Sequence, residues 1–172
     1  MENKKIKSNK QERAIAKELG GRVVTGSGCL WHSKGDSRTD DFLIEAKTTK
    51  NKYYKLNVET WLKIEKEATR DGMRRPLLQV DLEDGKDRLV IMNVFDFLAM
   101  DLDSEEFAMA ERKPLEIETK SYKLEYILYE IDNVLDDDGY YKIIRKDIRF
   151  TKYKKHLAIL DWEDFLQIIE KL

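Results

Sequence analysis

Only one cysteine, Cys29, and only two histidines, His32 and His156, occur in the 172 residues. A lone cysteine excludes an internal disulfide and a zinc site built on cysteines, and two imidazoles are too few for a histidine-rich metal centre. Any bound metal must therefore be held by oxygen. No apolar run is long enough to cross a bilayer, and the lysine-rich start lacks the hydrophobic segment of a secretory signal, so a cytoplasmic protein with no membrane partner is expected. Nor is there a surplus of one charge: 32 Lys and Arg face 34 Asp and Glu, for a formal net charge of -2. A nucleic-acid footprint, if there is one, must be local rather than global.

What the chain does have is length for one substantial core and a high density of charge, 38% of all residues. Its patterning mixes helix and strand. Ser8 and Gln11 have the spacing of a capping box, predicting a helix from there through Glu12, Ile15 and Leu19 to the stop at Gly20-Gly21. Strands are expected at Arg22 to Thr25 and at Phe42 to Lys47. A helix capped by Asn57 should carry Trp61, Ile64 and Ala68 and end at Asp71-Gly72. Leu77 to Val80 and Leu89 to Met92 read as a hairpin turning at Glu83 to Lys86. Leu124, Ile127, Leu128 and Ile131 follow helical spacing, and Asp136 to Gly139 reads as a solvated loop. Val90-Ile91-Met92 leading into Asp96-Phe97-Leu98 is echoed by Ala158-Ile159-Leu160 leading into Asp164-Phe165-Leu166, each a strand followed by a helix. The expected fold class is α/β, a mixed central sheet flanked by helices. Residues 1–112 would form its core and residues 113–172 a C-terminal α/β extension, separate or part of the same domain.

The acids between residues 36 and 45 need a reason to be so close. On one straight strand Asp36 and Glu45 would lie about 30 Å apart, at about 3.3 Å per residue, and could not share a ligand. A two-residue turn at Asp40-Asp41 instead pairs Thr39 with Phe42, Arg38 with Leu43, Ser37 with Ile44, and Asp36 with Glu45. Two carboxylates facing each other at about 5 Å between Cβ atoms repel, unless a cation lies between them. A divalent ion with oxygen ligands, Mg²⁺ with Mn²⁺ as a substitute, would relieve the repulsion. Strand alternation also puts Lys47 on the face of Glu45, while Phe42, Ile44 and Ala46 face a core. Carboxylates, metal and ammonium around one point suit phosphodiester hydrolysis. Asp40 and Asp41 read as turn residues, with Asp41 a reserve ligand should the strand begin early.

Gly35-Asp36 followed by an apolar strand ending in Glu45-Ala46-Lys47 resembles the core of the PD-(D/E)xK nuclease superfamily, with Gly35 standing where that motif has its proline. The Glu12-Arg13 helix, Gly26-Ser27-Gly28 and Lys47-Thr48-Thr49 further resemble the archaeal and phage Holliday-junction resolvases of that superfamily. The likeness covers roughly the first half of the chain. It implies a restriction-endonuclease-like core, Asp36 and Glu45 as metal ligands, and Lys47 positioning or activating water. It also implies Glu12 completing the acidic site and Ser27 beside phosphate. The activity it implies is Mg²⁺-dependent cutting of DNA in recombination, with a four-way junction as substrate. Two symmetric cuts then call for a homodimer. A restriction or repair endonuclease acting on another nucleic-acid structure would share the same residues, and a noncatalytic nucleic-acid-binding module would keep the fold without cleavage.

Beyond the resemblance, Lys142, Arg145, Lys146, Arg149, Lys152, Lys154 and Lys155 form a basic segment with Tyr141, Phe150 and Tyr153 interleaved. That composition suits backbone phosphates plus stacking, with Lys152, Lys154 and Lys155 the expected DNA contacts. Its alternative is a charged strand edge that discourages aggregation. Cys29, Trp31 and His32 are read as structural or surface residues.

Overall fold

The computed structural model describes residues 4–24, 36–100, 113–125 and 145–170. They form an eight-stranded mixed sheet, a two-stranded ribbon and four helices. Helix α1 (Lys4–Glu18) ends at Gly20, whose φ of +63° suits a residue without a side chain. Gly21 is required for space, because a Cβ there would lie 2.4 Å from the Arg38 carbonyl oxygen. Strands β1 (Arg22–Val23), β2 (Ser37–Arg38) and β3 (Phe42–Thr48) follow. Next come β4 (Tyr53–Asn57), α2 (Val58–Arg70), β5 (Arg75–Leu82), β6 (Asp87–Asn93) and α3 (Val94–Leu98). The rest are β7 (Leu115–Ile117), β8 (Ser121–Glu125), β9 (Arg145–Phe150), β10 (Lys155–Asp161) and α4 (Trp162–Glu170).

The large sheet runs β1-β2-β3-β5-β6-β10-β9-β7, with β3 parallel to β5 and β7 parallel to β9, and the other pairs antiparallel. The α/β architecture with a mixed sheet is therefore as expected. One face of the sheet buries Phe42, Ile44, Val90 and Met92 against Ile15 of α1, Phe97 of α3, and Trp162 and Phe165 of α4. The other buries Leu78, Val80, Ile91 and Ile159 against Trp61 and Ile64 of α2 and against the β4-β8 ribbon through Leu56 and Leu124. Among the described residues no helix is long and apolar enough to cross a membrane.

The strand-then-helix echo is present as geometry. β6 and β10 are antiparallel neighbours with Ile91 opposite Ile159, flanked by Val90 opposite Leu160 and Met92 opposite Ala158. Each strand leads directly into a helix, α3 or α4, and both helices cover the same face. The two units are thus related by an approximate two-fold through the Ile91-Ile159 pair. Since β10 belongs to the C-terminal third, one sheet spans both sides of residue 112, which itself lies outside the described residues.

Two expectations are corrected. Ser8 does not begin a helix, because α1 is already helical from Lys4, and Gln11 uses its side chain elsewhere instead of closing a capping box. Leu124 is not helical. It sits in β8 opposite Tyr54, and cross-strand burial against the ribbon overrides a spacing that fits a helix equally well. Ile127, Leu128, Ile131 and the loop at 136–139 lie outside the described residues. The Asn57 cap is as expected, its side chain accepting from the Glu59 amide at 2.9 Å and α2 ending at Asp71. So is the β5-β6 hairpin, whose turn takes positive φ at Glu83, Asp84 and Gly85.

Candidate active site

The turn at Asp40-Asp41 sets the register of everything around it. Ser37 pairs with Ile44 and Arg38 with Leu43, as the two-residue turn requires, and the Thr39 amide donates to the Phe42 carbonyl at 3.0 Å. The Thr39 hydroxyl oxygen accepts from the amides of Asp41 and Phe42, fixing the corner. Asp41 remains exposed in that turn, away from Glu45. At Asp36 the ladder departs from its own register. The Asp36 amide donates to the carbonyl of Ile44, the partner of Ser37, at 2.9 Å, and the Asp36 carboxylate Oδ2 accepts the Ala46 amide at 2.8 Å. A side chain thus replaces a backbone acceptor where the hairpin would otherwise continue, which holds Asp36 against the strand that carries Glu45.

Alternation does the rest. Ile44 and Ala46 enter the core beside α1, whereas Glu45 and Lys47 stay half-buried on the opposite face. Lys47 Nζ lies 2.6 Å from Glu45 Oε1. Burial and the neighbouring Glu45 charge push Asp36 from 3.8 up to about 6, against the opposing pull of the Ala46 amide and the Lys47 charge. Glu12, on α1, adds a smaller push in the same direction. Burial disfavours the Lys47 ammonium, but its hydrogen bond to Glu45 and the charges of Glu45 and Asp36 outweigh that, leaving its pKa above the ordinary lysine value. Tyr54 of the ribbon completes the surroundings of Lys47, its own pKa raised mainly by burial.

The structure therefore brings Asp36, Glu45 and Lys47 together, with Glu12 in electrostatic reach. Among the described residues no three His, Cys, Asp or Glu side chains converge tightly enough to hold a metal ion by themselves. Two carboxylates still fit a Mg²⁺-type ion, which ordinarily keeps several waters and is bound by one or two carboxylates plus substrate phosphate. Burial and the Glu45 charge raise Asp36, and a cation there would oppose both. Ser27 lies outside the described residues. Lys152 and Lys154 are exposed at a single 3₁₀ turn (Thr151–Tyr153) and the residue after it, whereas Lys155 is engaged by Glu65 of α2 at 2.6 Å. Arg145 and Arg149 are likewise paired, with Asp147 and Glu116.

Sequence reasoning gave Gln11 only the role of a helix cap and gave Gln79 no role. Gln11 Nε2 donates to the Lys47 carbonyl at 3.0 Å and to Gln79 Oε1 at 2.7 Å, and fully buried Gln79 donates to Asp81 Oδ1. Asp81 faces Arg88, which pairs with Glu18 at 2.7 Å, and Glu18 accepts Trp162 Nε1 at 3.0 Å. The Ser37 hydroxyl donates to the Glu12 carbonyl at 3.0 Å. Through these contacts α1 is fastened to β2, β3, β5 and α4. The sequence signal was weak, an amide inside an otherwise apolar run at Leu77 to Val80, which a buried network explains better than a solvated edge.

Compared with known proteins, the chain matches no family model, no curated protein and no solved structure.

Proposed function

We propose that this protein is a metal-dependent endonuclease of the PD-(D/E)xK kind, with a restriction-endonuclease-like core, that hydrolyses DNA phosphodiester bonds. A four-way junction is its favoured substrate and a homodimer its working form. The observation that carries the reading is the hairpin that gathers Asp36, Glu45 and Lys47, with the Glu45 charge helping to raise Asp36 and the Lys47 ammonium bonded to Glu45. Asp36 and Glu45 would hold Mg²⁺, which supplies Lewis-acid polarisation of the phosphoryl oxygen and a more acidic bound water. Glu45 also orients Lys47. Since Lys47 keeps its proton at neutral pH, its role is to position water and to offset charge on the phosphate, not to act as a free-amine base. At about 4 Å and an effective dielectric near 20 such a cation is worth up to about 4 kcal/mol, of which only the excess in the transition state appears as rate.

The test incubates the protein with Mg²⁺ and end-labelled four-way junction, flap, duplex and single-stranded DNA. Paired symmetric nicks confined to the junction are expected. Cleavage of another structure instead would move the protein to the restriction or repair class, and no cleavage with any divalent metal would leave a binding module. Lys47→Ala should slow cleavage by about 10²-fold or more while changing metal affinity far less. Titration of Mn²⁺ binding beside single-turnover rates checks this, and an equal loss in both would make Lys47 a support of the ion instead.

A further inference from the structure

A cleft of about 300 Å³ opens beside the β2-β3 turn, lined by Gly20, Gly21, Arg22, Arg38, Thr39, Asp40 and Arg74. Three of these are arginines, Arg22 in β1, Arg38 in β2 and Arg74 in the connection between α2 and β5. Arg22 and Arg38 are direct cross-strand partners in β1 and β2, an arrangement of like charges that disfavours the pairing unless something negative compensates it. Asp71 supplies part of that compensation, contacting Arg38 at 3.1 Å and Arg74 at 3.0 Å, and Asp40 lines the cleft as well. Arg74 also donates to the Thr39 carbonyl at 2.7 Å, which holds its guanidinium against the turn. Two donors remain over. Arg22 is exposed and has no acidic partner among the described residues, and Arg38 Nε is buried without a hydrogen-bond partner. The absence of side chains at Gly20 and Gly21 keeps the main chain close to β2, where any larger residue at Gly21 would strike Arg38.

The place of this cleft matters as much as its charge. Arg38 lies two residues from Asp36, and its pairing with Leu43 puts it on the face of the sheet that carries Glu45. We infer that the Arg22-Arg38-Arg74 cleft holds a phosphate of the nucleic-acid backbone next to the one placed at Asp36 and Glu45. This rests on the nuclease reading for its register, but not for its charge. Planar guanidinium groups suit the oxygens of a phosphodiester, and contacts to phosphate carry no base information. Recognition there would be of backbone, independent of sequence.

The test measures binding of a labelled four-way junction and of two duplexes of unrelated sequence by fluorescence anisotropy, in EDTA, over a range of KCl concentrations. Parent, Arg22→Gln and Arg22→Lys are compared. Arg22 is chosen because its loss breaks no ion pair among the described residues, and thermal melting checks the fold of each variant. Arg22→Gln should bind all three DNAs about 3- to 10-fold more weakly and lower the slope of log affinity against log salt by about one, with Arg22→Lys retaining most of that slope. An unchanged slope in folded Arg22→Gln overturns the inference, and if the parent still cuts with Mg²⁺ the nuclease reading survives it. A reduced slope in a protein that never cuts keeps the cleft and removes the nuclease. Saturable stabilisation by inorganic phosphate that Arg22→Gln abolishes, with DNA binding unaltered, would make the cleft a site for a small free anion and overturn the backbone assignment.

Discussion

Asp36→Asn should abolish Mg²⁺-dependent cleavage, lowering the rate about 10³-fold or more, and should at the same time stabilise the metal-free protein at neutral pH. The two effects have one cause. The folded-state pKa of Asp36, about 6, lies above its ordinary value of 3.8, so the folded chain binds that proton more tightly than the unfolded chain does. The stability contributed by the proton is fully present below about pH 4 and is lost as the pH rises through about 6. Above that pH the ionised carboxylate opposes folding. Asparagine keeps an oxygen that can accept the Ala46 amide while removing the charge, and should recover about 1 kcal/mol once solvent screening is allowed for. Denaturant unfolding in EDTA at acid and neutral pH checks this. The parent should weaken between the two and the variant much less, and a variant that cuts as fast as the parent would remove Asp36 from the metal site. Glu45→Gln should also abolish cleavage but without the gain, because it deprives Lys47 of its 2.6 Å partner.

The largest loss of stability is expected from Trp162→Ala, about 3–5 kcal/mol. Trp162 is fully buried, packs on Phe165 with ring centroids 5.7 Å apart, and lies under the Arg88 guanidinium at 5.1 Å. Its indole N–H also binds Glu18, in the last turn of α1. Truncation leaves a cavity below α4 and releases the end of the helix that carries Gln11 and Glu12. Trp162→Phe keeps most of the packing and should cost only about 1–2 kcal/mol, the share of the indole hydrogen bond and the cation-π contact. Equilibrium urea unfolding separates the two, and equal losses would mean that the polar tether outweighs the packing. Cleavage by folded Trp162→Phe should fall more than its stability does if α1 positions the site.

The sequence disclosed the candidate site better than its supports. The register joining Asp36 to the strand of Glu45 was legible because aspartate pairs mark turns, and because one residue of slip would have buried Glu45 and Lys47. Only the last step, where Asp36 bonds Ala46 through its side chain, escaped a reading based on backbone pairing. The helix at Val58 and the hairpin after Arg75 carried strong local signals in Asn57 and in Asp84-Gly85. The ribbon did not. Tyr53 to Asn57 and Ser121 to Glu125 are each five residues long, polar on one side, and find each other across a long stretch of chain, so neither segment announces a partner. The contacts of Gln11, Gln79 and Arg22 escaped notice for a similar reason: their neighbours are set by tertiary packing, which no spacing along the chain reveals.

The hydrogen bond from the Ala46 amide to Asp36 turns one main-chain proton into an internal reporter. Its nuclear magnetic resonance shift follows the charge on the accepting carboxylate. The Ala46 signal should therefore move as Asp36 titrates near pH 6 and move again, separately, when a cation arrives. Occupancy of the acidic pair could then be followed in solution residue by residue, without DNA and without turnover.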